Sequence, residues 1–329
     1  MSLRVIKGGI LDTVQDMGRI GYQHLGINPG GAMDKYAAQI ANILVGNDST
    51  EGVIELHFPS SSFIFEQPAL IALSGADFKA SINGEEVPTL HPLLLDKYSI
   101  LQFHAIKNGA RAYIAVHGGF EIEKWLGSYS THIKVEKGGV NGRALKSDDE
   151  IAIRRKSKLP FIKHEDEFYV LPWKADTNWG DPFEKHIAIL AGHEWNRLTD
   201  EAKKKFHCGS LSITRRSDRM GYRLKGDPVQ VITNEEVVSS AVGFGTIQLL
   251  PDGQLIVLMA DHQTTGGYPR LAHVITAHHS RMAQMKPGDS VSFKLTDQQT
   301  AEKLYLKQQQ HLAQLRNACT FKLEQFLKP

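Results

Sequence analysis

The sequence predicts a mainly β protein made of two tandem β modules, with a few helices and a helix at the C-terminus. Short runs rich in β-branched and aromatic residues recur between Gly, Asn, Asp and Pro turns, which is typical of sandwiches and barrels. These runs are Phe63–Phe65, Leu70–Leu73, Lys79–Ile82, Ser99–Phe103, Arg111–Val116, Glu150–Arg154, Ile187–Leu190, Leu211–Thr214, Val229–Ile232, Gln254–Met259 and Ser290–Leu295. Similar phrases also occur in both halves, "DMGRIGYQHLG" with "LKSDDEIAIRR" and "RRSDRMGYRLKG" with "MKPGDSVSFKL". The residues alone leave a duplicated module and a chance similarity as equal alternatives.

Three helices are predicted within this β pattern. The first spans Ala32–Val45, where apolar residues share one face before Gly46. A shorter one follows Thr199, whose hydroxyl can cap the first turn. The third begins near Thr296, with Gln299 placed for a capping box. Its apolar stripe, which must pack on another surface, consists of Leu304, Leu312, Leu315, Cys319 and Phe326.

The helix and strand patterns divide the chain into four segments. We predict a first β module at 1–160, a linker at 161–186, a second β module at 187–295 and an amphipathic helix at 296–329. Residues 155–185 favour a connection because they mix charges and prolines without periodicity. With 329 residues, of which 41% are hydrophobic, the chain is long enough to fill two cores.

Composition excludes several classes of partner. The 38 basic and 36 acidic residues nearly cancel and form no long block, so the sequence lacks the basic footprint of a nucleic-acid-binding protein. The two cysteines lack the spacing of a zinc or redox motif. No apolar run approaches membrane-spanning length, and the start "MSLRVIKGG" lacks the core of a signal peptide. We therefore expect a cytoplasmic protein whose partners are small molecules or proteins, not nucleic acid or membrane.

The segment "GFGTIQLLPDGQLIVLMADHQTTGGYP", residues 243–269, is the strongest candidate for a site. A largely buried strand would deliver Asp261 and Gln263 onto a turn at Gly266 and Gly267. Adjacent glycines let backbone N–H groups approach a ligand closely, and neighbouring hydroxyl and amide groups supply directed hydrogen bonds. The alternative is an ordinary hairpin tip, for which such glycine pairs are also common.

Standard catalytic motifs are missing from the sequence. It contains neither a phosphate-binding loop nor a dinucleotide fingerprint, and adjacent His278 and His279 would not converge on one metal, so no metal site is expected. Carboxylate and guanidinium groups gather instead in both modules. An Arg fork can bind a carboxylate or phosphate, although each Asp–Arg pair taken singly is more often a structural ion pair. These residues are Asp12, Asp16, Arg19, Asp34, Asp218, Arg219 and Asp261.

Seven phrases together resemble one family: allophanate hydrolase subunit 2, also called KipA or the C-subunit of 5-oxoprolinase, which is related to the carboxyltransferase part of urea carboxylase. In chain order they are "DTVQDMGRIGYQHLGINPGGAMDKYAAQIANILVGN", "ALSGADFKASING", "LGSYST", "GGVNGRALK", "SDRMGYRLKG", "GTIQL" and "ADHQTTGGYPRLAHVI". The resemblance implies two tandem cyclophilin-like β-barrel modules. It also implies a complex with a KipI-like protein, and often a LamB-like third protein, that uses ATP to hydrolyse 5-oxoproline to glutamate.

The resemblance also implies which residues form the site. Asp261, Arg219 and Asp218 would be catalytic. The substrate-binding residues would be Arg19, Asp34, Ser74, Asp77, Arg143, Gln263, Thr264, Thr265, Gly266, Gly267 and Tyr268. Guanidinium groups and glycine-rich amides would hold a phosphate or carboxylate, while Asp261, Gln263 and the threonines would fix the amide.

Two other functions are compatible with the same resemblance. One is that of a biotin-dependent carboxyltransferase component that acts on urea or another small amide, which would need a biotin carrier in place of direct ATP chemistry. The other is that of a non-catalytic KipA-type regulator that binds a kinase inhibitor.

Overall fold

The computed structural model describes residues 2–154, 159, 168–183, 185–233 and 237–327, without the side chains of residues 205, 207 and 208. The chain forms two compact units. The first comprises Met1–Arg19, Asp34–Thr177 and Gln310–Pro329, and the second comprises Ile20–Met33 and Asn178–Gln309. Part of the predicted linker at 161–186 lies outside the described residues, and the predicted module boundaries stay a prediction.

The first unit contains two antiparallel sheets. Its strands are β1 (Ser2–Lys7), β2 (Thr13–Gln15), β3 (Val53–Leu56), β4 (Ser62–Phe65), β5 (Ala69–Asp77), β6 (Ala80–Ile82), β7 (Glu85–Glu86), β8 (Pro92–Leu95), β9 (Ser99–Phe103), β10 (Asn108–Val116), β11 (Glu150–Ala152) and β12 (Phe168–Val170). One sheet has the order β11-β1-β4-β9-β6-β7, and the other has the order β12-β8-β5-β10-β3-β2. Many neighbours in these orders are distant in sequence, so the pairings are largely non-local.

The core of the first unit lies between its two sheets. Leu3 and Phe63 from one sheet and Ile71 and Ile114 from the other are fully buried in a single hydrophobic cluster. Burying side chains of this size contributes roughly 1.5–3 kcal/mol each. The first helix, α1 (Lys35–Leu44), contacts strands β5 and β10 of the second sheet. The first unit is therefore two packed sheets with a helix against one of them.

Helix α1 is shorter than the predicted span Ala32–Val45. The carboxylate of Asp34 accepts a hydrogen bond from the backbone N–H of Ala37 at 2.9 Å, so Asp34 is the N-cap. A residue at this position has non-helical backbone angles, which is why the helix cannot include the apolar residues before it. The chain leaves the helix through Gly46, whose φ of 68° suits glycine.

The second unit contains one large sheet that closes on itself. Its strands are β13 (Ile187–Ala191), β14 (Leu211–Ile213), β15 (Gly221–Lys225), β16 (Ser240–Ala241), β17 (Thr246–Leu249), β18 (Leu255–Leu258), β19 (Thr265–Gly266), β20 (Arg270–Val274), β21 (Ser290–Val291) and β22 (Phe293–Leu295). The large sheet has the order β21-β14-β15-β18-β17-β20-β13-β22, and β16 pairs separately with β19. Strands β21 and β22 lie at opposite edges but are joined by Ser292 alone. The sheet must therefore curl until its edges meet, as in a barrel.

Alternation along the strands separates the inside of this barrel from its outside. Tyr222, Leu224 and Val257 are buried in one hydrophobic cluster. The intervening Arg223 and Ile256 therefore lie on the outer face, because successive side chains of a strand point to opposite sides. The predicted fold class, mainly β with a C-terminal helix, is confirmed.

Several predicted strands differ from the structure only in their bounds, and two differ in more than that. Val229–Ile232 is not a strand: Val231 makes a single bridge to Leu198, and the N–H groups of Val229 and Ile232 bond to the carbonyls of Gly253 and Arg197. A β-branched run forms a strand only where a neighbouring strand offers a continuous ladder. The run Ser290–Leu295 is divided into two strands, because the chain passes from one edge of the large sheet to the other within it.

The remaining helices are α2 (Asp200–Cys208), α3 (His279–Ala283) and α4 (Gln298–Leu327). As predicted, the Thr199 hydroxyl caps α2, accepting from the N–H of Ala202 at 3.1 Å. Helix α4 is capped by Asp297, which accepts from the N–H of Thr300, so the predicted capping box at Thr296 and Gln299 is wrong. The Asp297 carboxylate is a charged acceptor for that N–H. The N-cap is therefore Asp297, one residue after the predicted Thr296.

The predicted apolar stripe of α4 is largely buried. In the second unit Leu304 packs with Ala188, Ile275 and Ala277. In the first unit Leu312 and Cys319 are buried, and Leu315 and Phe326 are half-buried. The stripe is therefore covered within the chain itself. Among the described residues, no helix is both long and apolar enough to cross a membrane.

Candidate functional site

Arg219 and Asp261, both predicted as catalytic, form a bidentate ion pair in the second unit. Arg219 Nε lies 2.8 Å from Asp261 Oδ2, and Nη2 lies 3.0 Å from Oδ1. Nη2 also donates to the carbonyl of Gly31 at 2.7 Å, and the N–H of Asp261 donates to the Arg219 carbonyl. The Arg219 side chain is 5% exposed and that of Asp261 is 25% exposed. Paired guanidinium and carboxylate groups of this geometry hold two loops in a fixed relation.

Asp218, the third predicted catalytic residue, has a different environment. Its side chain is exposed, and Oδ1 accepts hydrogen bonds from the N–H groups of Met220 at 2.8 Å and Gly221 at 3.2 Å. These bonds close a tight turn at the start of β15. They fix the carboxylate in one orientation at the surface of the barrel.

Asp218 lines a cavity of about 510 Å³ on the outer face of the barrel, which we call the barrel-face cavity. The register of three strands explains its position, because Arg223 of β15 lies opposite Ile256 of β18, which lies opposite Gln248 of β17. The polar groups of the cavity are a pair of arginines, a pair of amides, a pair of carboxylates and a phenol: Arg216, Arg223, Gln248, Gln263, Asp218, Asp252 and Tyr268.

Ile256 and Leu258 give the barrel-face cavity an apolar floor. Gly221 lies opposite Leu258, and a Cβ at this glycine would come to 2.7 Å from Ile256 Cδ1. The missing side chain therefore leaves room for Ile256. A cavity that combines a small apolar surface with a few directed polar groups is the usual form of a small-molecule site.

The predicted turn at Gly266 and Gly267 is wrong. Thr265 and Gly266 form the short strand β19, in which Gly266 pairs with Ser240 and Thr265 with Ala241. Gly266 is buried, and an added Cβ would lie 2.7 Å from Gln248 Nε2. Glycine fits here because the end of a buried amide side chain comes close, not because of a turn conformation.

The other predicted residues of this segment surround the same strand. Gln263 and Tyr268 are exposed and line the barrel-face cavity. The Thr264 carbonyl accepts a hydrogen bond from the N–H of Val242 at 3.2 Å. Thr265 and Gly267 are exposed. The Tyr268 carbonyl lies 3.4 Å from the Nε2 donor of buried Gln248.

Arg19 of the first unit is buried in a network that joins two of the quoted phrases. Its Nη2 donates to the carbonyl of Ser130, and its guanidinium carbon lies 4.8 Å from the ring centroid of Trp125. Asp16 accepts from the hydroxyls of Ser128 and Ser130, both at 2.6 Å. A planar cation stacked on an indole and bonded to backbone stabilises the loop.

Asp34 and Ser74 also have internal partners. Besides capping α1, Asp34 donates its N–H to the Tyr113 hydroxyl at 2.8 Å, and that hydroxyl donates to Glu55 at 2.8 Å. Burial and the neighbouring Glu55 carboxylate hold the pKa of Tyr113 well above its usual value. The Ser74 hydroxyl donates to the Ala37 carbonyl at 2.6 Å. These contacts attach α1 to the sheet.

Arg143 and Asp77 belong to separate networks. Arg143 makes two bonds of 2.7 Å to Asp149, and these bonds hold the pKa of Asp149 below its usual value. Asp77 accepts from the Lys79 N–H at 2.9 Å and lies 3.1 Å from Lys107 Nζ. In the described part of the chain, no group of three His, Cys, Asp or Glu residues could hold a metal ion.

The sequence reasoning overlooked Arg216, Arg223 and Gln248. Arg216 and Arg223 stand within the quoted phrase "RRSDRMGYRLKG", and Gln248 within "GTIQL". Alternation of Arg223 with the apolar Tyr222 and Leu224 was a signal that could have placed it on the outer face.

A family model, two relatives and a solved structure are similar to this chain over most of its length. Residues 25–295 match the family model described as carboxyltransferase domain, subdomain A and B. The chain is 35% identical over 313 residues to the C-subunit of 5-oxoprolinase from Escherichia coli strain K12, covering 95% of this chain and 97% of that protein. It is 32% identical over 304 residues to the protein of the same name from Haemophilus influenzae, covering 92% and 94%. The crystal structure of Kluyveromyces lactis urea carboxylase superposes with a TM-score of 0.85 at 25% identity, covering 95% of this chain and 29% of that one.

Proposed function

The chain belongs to the carboxyltransferase domain family, and on that premise we propose that it is one component of a 5-oxoprolinase-type complex. The complex uses ATP to hydrolyse a small cyclic amide, 5-oxoproline, to glutamate. A KipI-like protein completes it, with a LamB-like protein as a further partner, and we place it in the cytoplasm.

One observation carries the proposal. The two relatives named as C-subunits of 5-oxoprolinase match over 97% and 94% of their own lengths, whereas the urea carboxylase structure matches over 29% of its length. The name of these relatives indicates a protein that works with other subunits. A chain that matches such a protein over more than nine-tenths of both lengths fits the same role.

The barrel-face cavity supports an amide as the substrate. The amides of Gln248 and Gln263 each offer a donor and an acceptor, which is what the C=O and N–H of a lactam require. Of the three predicted catalytic residues, Asp218 lines the cavity, while Arg219 and Asp261 bond to each other beside it. We assign Asp218 to contact with the substrate, and Arg219 with Asp261 to positioning the loops that carry Asp218 and Gln263.

ATP makes chemical sense for such a substrate. The carbonyl carbon of a lactam is a weak electrophile. Transfer of the γ-phosphoryl group of ATP to the carbonyl oxygen makes that carbon far more reactive toward water. Water then adds to that carbon, and the C–N bond breaks with a proton passing to the nitrogen, which leaves an acyl phosphate. A second water hydrolyses the acyl phosphate to the carboxylate of glutamate and free phosphate. In this complex the predicted anion-binding residues Arg19 and Arg143 would have to leave their present partners to contact phosphate.

The test is 5-oxoproline-dependent ADP release by this chain reconstituted with its KipI-like partner. Asp261→Asn and Arg219→Lys should lower turnover about 100-fold, because misplacing substrate-positioning loops by about 1 Å costs that much. These substitutions keep a hydrogen-bonding group in the pair, so folding can be verified from the melting temperature. Asp200→Asn, at a 95% exposed side chain in the first turn of α2, is the matched control. Unchanged turnover in both loop variants would refute the assigned role.

The second candidate is a biotin-dependent carboxyltransferase component, favoured by the superposition with urea carboxylase. Activity that requires a biotinylated carrier protein and urea or another small amide, with no 5-oxoproline turnover, would establish it. Binding to the KipI-like protein without either activity would instead support the regulator.

A further inference from the structure

Two guanidinium groups, those of Arg216 and Arg223, face the barrel-face cavity. Arg216 and Arg223 both line it, and both are exposed. Neither guanidinium has a hydrogen bond or ion pair within the part of the chain that the structure describes. Other arginines of the second unit differ: Arg219 is paired with Asp261, and Arg270 with Glu194. Among the described residues, no protein group therefore accepts a hydrogen bond from either guanidinium group of the cavity.

The two arginines come from different elements but reach the same space. Arg223 is held by β15, opposite Ile256, with its N–H bonded to the Ser217 hydroxyl at 3.0 Å. Arg216 belongs to the turn before β15, and that turn is closed by the N–H of Ser217 bonding to the Thr214 carbonyl at 3.2 Å. One cation thus stands on a rigid strand and the other on a hydrogen-bonded turn. This arrangement suits an anion that accepts from both.

The carboxylates of the cavity limit the net charge of a ligand that it can bind. Asp218 and Asp252 line it together with the arginines, so the formal charges balance. One oxygen of each is used within the chain, by Met220 N–H for Asp218 and by Gln254 N–H for Asp252. A neutral lining disfavours a highly charged anion such as a polyphosphate. It suits a ligand that has one carboxylate for the arginines and an N–H donor for a carboxylate.

We propose that the barrel-face cavity binds a small amide that carries its own carboxylate, with Arg216 and Arg223 pairing with that carboxylate. Gln248 and Gln263 bond to the amide, and the ring packs on Ile256. This deepens the proposed function and rests on it, because 5-oxoproline has both groups, whereas urea has no carboxylate. The two arginines are binding residues, and the chemistry of ring opening lies elsewhere in the site.

The test is calorimetric titration of the full chain with three probes: 5-oxoproline, 2-pyrrolidinone, which lacks the carboxylate, and inorganic phosphate. We expect 5-oxoproline to bind and 2-pyrrolidinone to bind far more weakly. Arg216→Gln and Arg223→Gln should each weaken 5-oxoproline binding by roughly 10- to 100-fold, as expected for hydrogen bonds to a charged group. Arg215→Gln, at the neighbouring exposed arginine outside the cavity lining, is the control and should change the Kd less than twofold, a limit of about 0.4 kcal/mol.

Each other outcome overturns the assignment. It is wrong if the unaltered chain does not bind 5-oxoproline, if 2-pyrrolidinone binds equally well, or if both variants keep the original affinity. Phosphate binding that depends on the two arginines, without 5-oxoproline binding, identifies a phosphoryl site and also overturns it.

The reconstituted complex separates this inference from the proposed function. If 5-oxoproline binds through the arginines but ADP release never depends on it, the function fails and the site stands. If ADP release depends on 5-oxoproline with an unchanged KM in Arg216→Gln and Arg223→Gln, the function stands and the site is wrong.

Discussion

Gly266 lies beside the buried amide of Gln248, where an added Cβ would come to 2.7 Å from Nε2. The sequence suggests a turn at this glycine, with backbone N–H groups free to approach a ligand. A glycine pair looks the same whether the backbone needs a special conformation or a neighbouring side chain needs space. Only the pairing of Thr265 with Ala241 distinguishes the two.

Gly266→Ala should therefore destabilise the protein and disturb the cavity. Displacing a buried amide by overpacking costs about 1–3 kcal/mol, which urea denaturation can measure. Gly243→Ala is the matched control, because a Cβ at Gly243 would meet nothing within 4 Å. Equal stability of the two variants would mean that Gln248 moves aside without cost.

Arg219 and Asp261 show the limit of prediction for single residues. The motifs identify both, although 42 positions separate them. They also leave two interpretations open, a structural ion pair and a catalytic pair. The geometry supplies the missing part: both carboxylate oxygens accept from one guanidinium that is 5% exposed. Removing either group leaves a charge without its partner. The free-energy cost of that unpaired charge exceeds the net stabilisation that the intact pair provides.

At the scale of elements, alternation predicts strands well where a ladder continues on both sides. Ser99–Phe103 has the bounds predicted for it and pairs with both β4 and β6. Val229–Ile232 has equally suitable residues, but among the described residues its ladder is limited to the single bridge between Val231 and Leu198. The helix at the C-terminus is predicted from its stripe, while its cap is displaced to Asp297. The residues of a segment determine its propensity to form a strand or a helix. Whether the segment adopts that structure depends on the elements that pack or pair with it.

Two leucines of α4 test the packing of its stripe. Leu312 is 3% exposed, and Leu306 of the same helix is 59% exposed. Leu312→Ala should lower the free energy of unfolding by about 2–5 kcal/mol, as for other buried leucines. Leu306→Ala should change it by less than about 0.5 kcal/mol. Chemical denaturation of both variants measures the difference, and similar values would contradict the burial of the stripe.

At the scale of the whole molecule, the predicted site residues divide into two groups. Those of the first unit, such as Arg19, Ser74 and Arg143, are engaged in hydrogen bonds that hold that unit together. Those of the second unit, such as Asp218, Gln263 and Tyr268, line or border the barrel-face cavity. Sequence motifs identify both groups alike, since a loop held in place and a loop that binds a ligand can carry the same residue types.

The barrel-face cavity could not be predicted from local sequence. Arg223, Ile256 and Gln248 are neighbours only because β15, β18 and β17 pair in one register. A shift of one residue would turn Arg223 toward the core, so the register decides whether the cavity exists. The fold class follows from turn spacing, whereas the site depends on pairings between distant strands.

A structure of this chain with bound 5-oxoproline would show whether the barrel-face cavity is the binding site. The ligand should occupy the barrel-face cavity of the second unit, with its carboxylate within hydrogen-bonding distance of Arg216 and Arg223 and its amide facing Gln248 and Gln263. A ligand bound elsewhere, with those two guanidinium groups still exposed to solvent, would show that the barrel-face cavity is not the 5-oxoproline site.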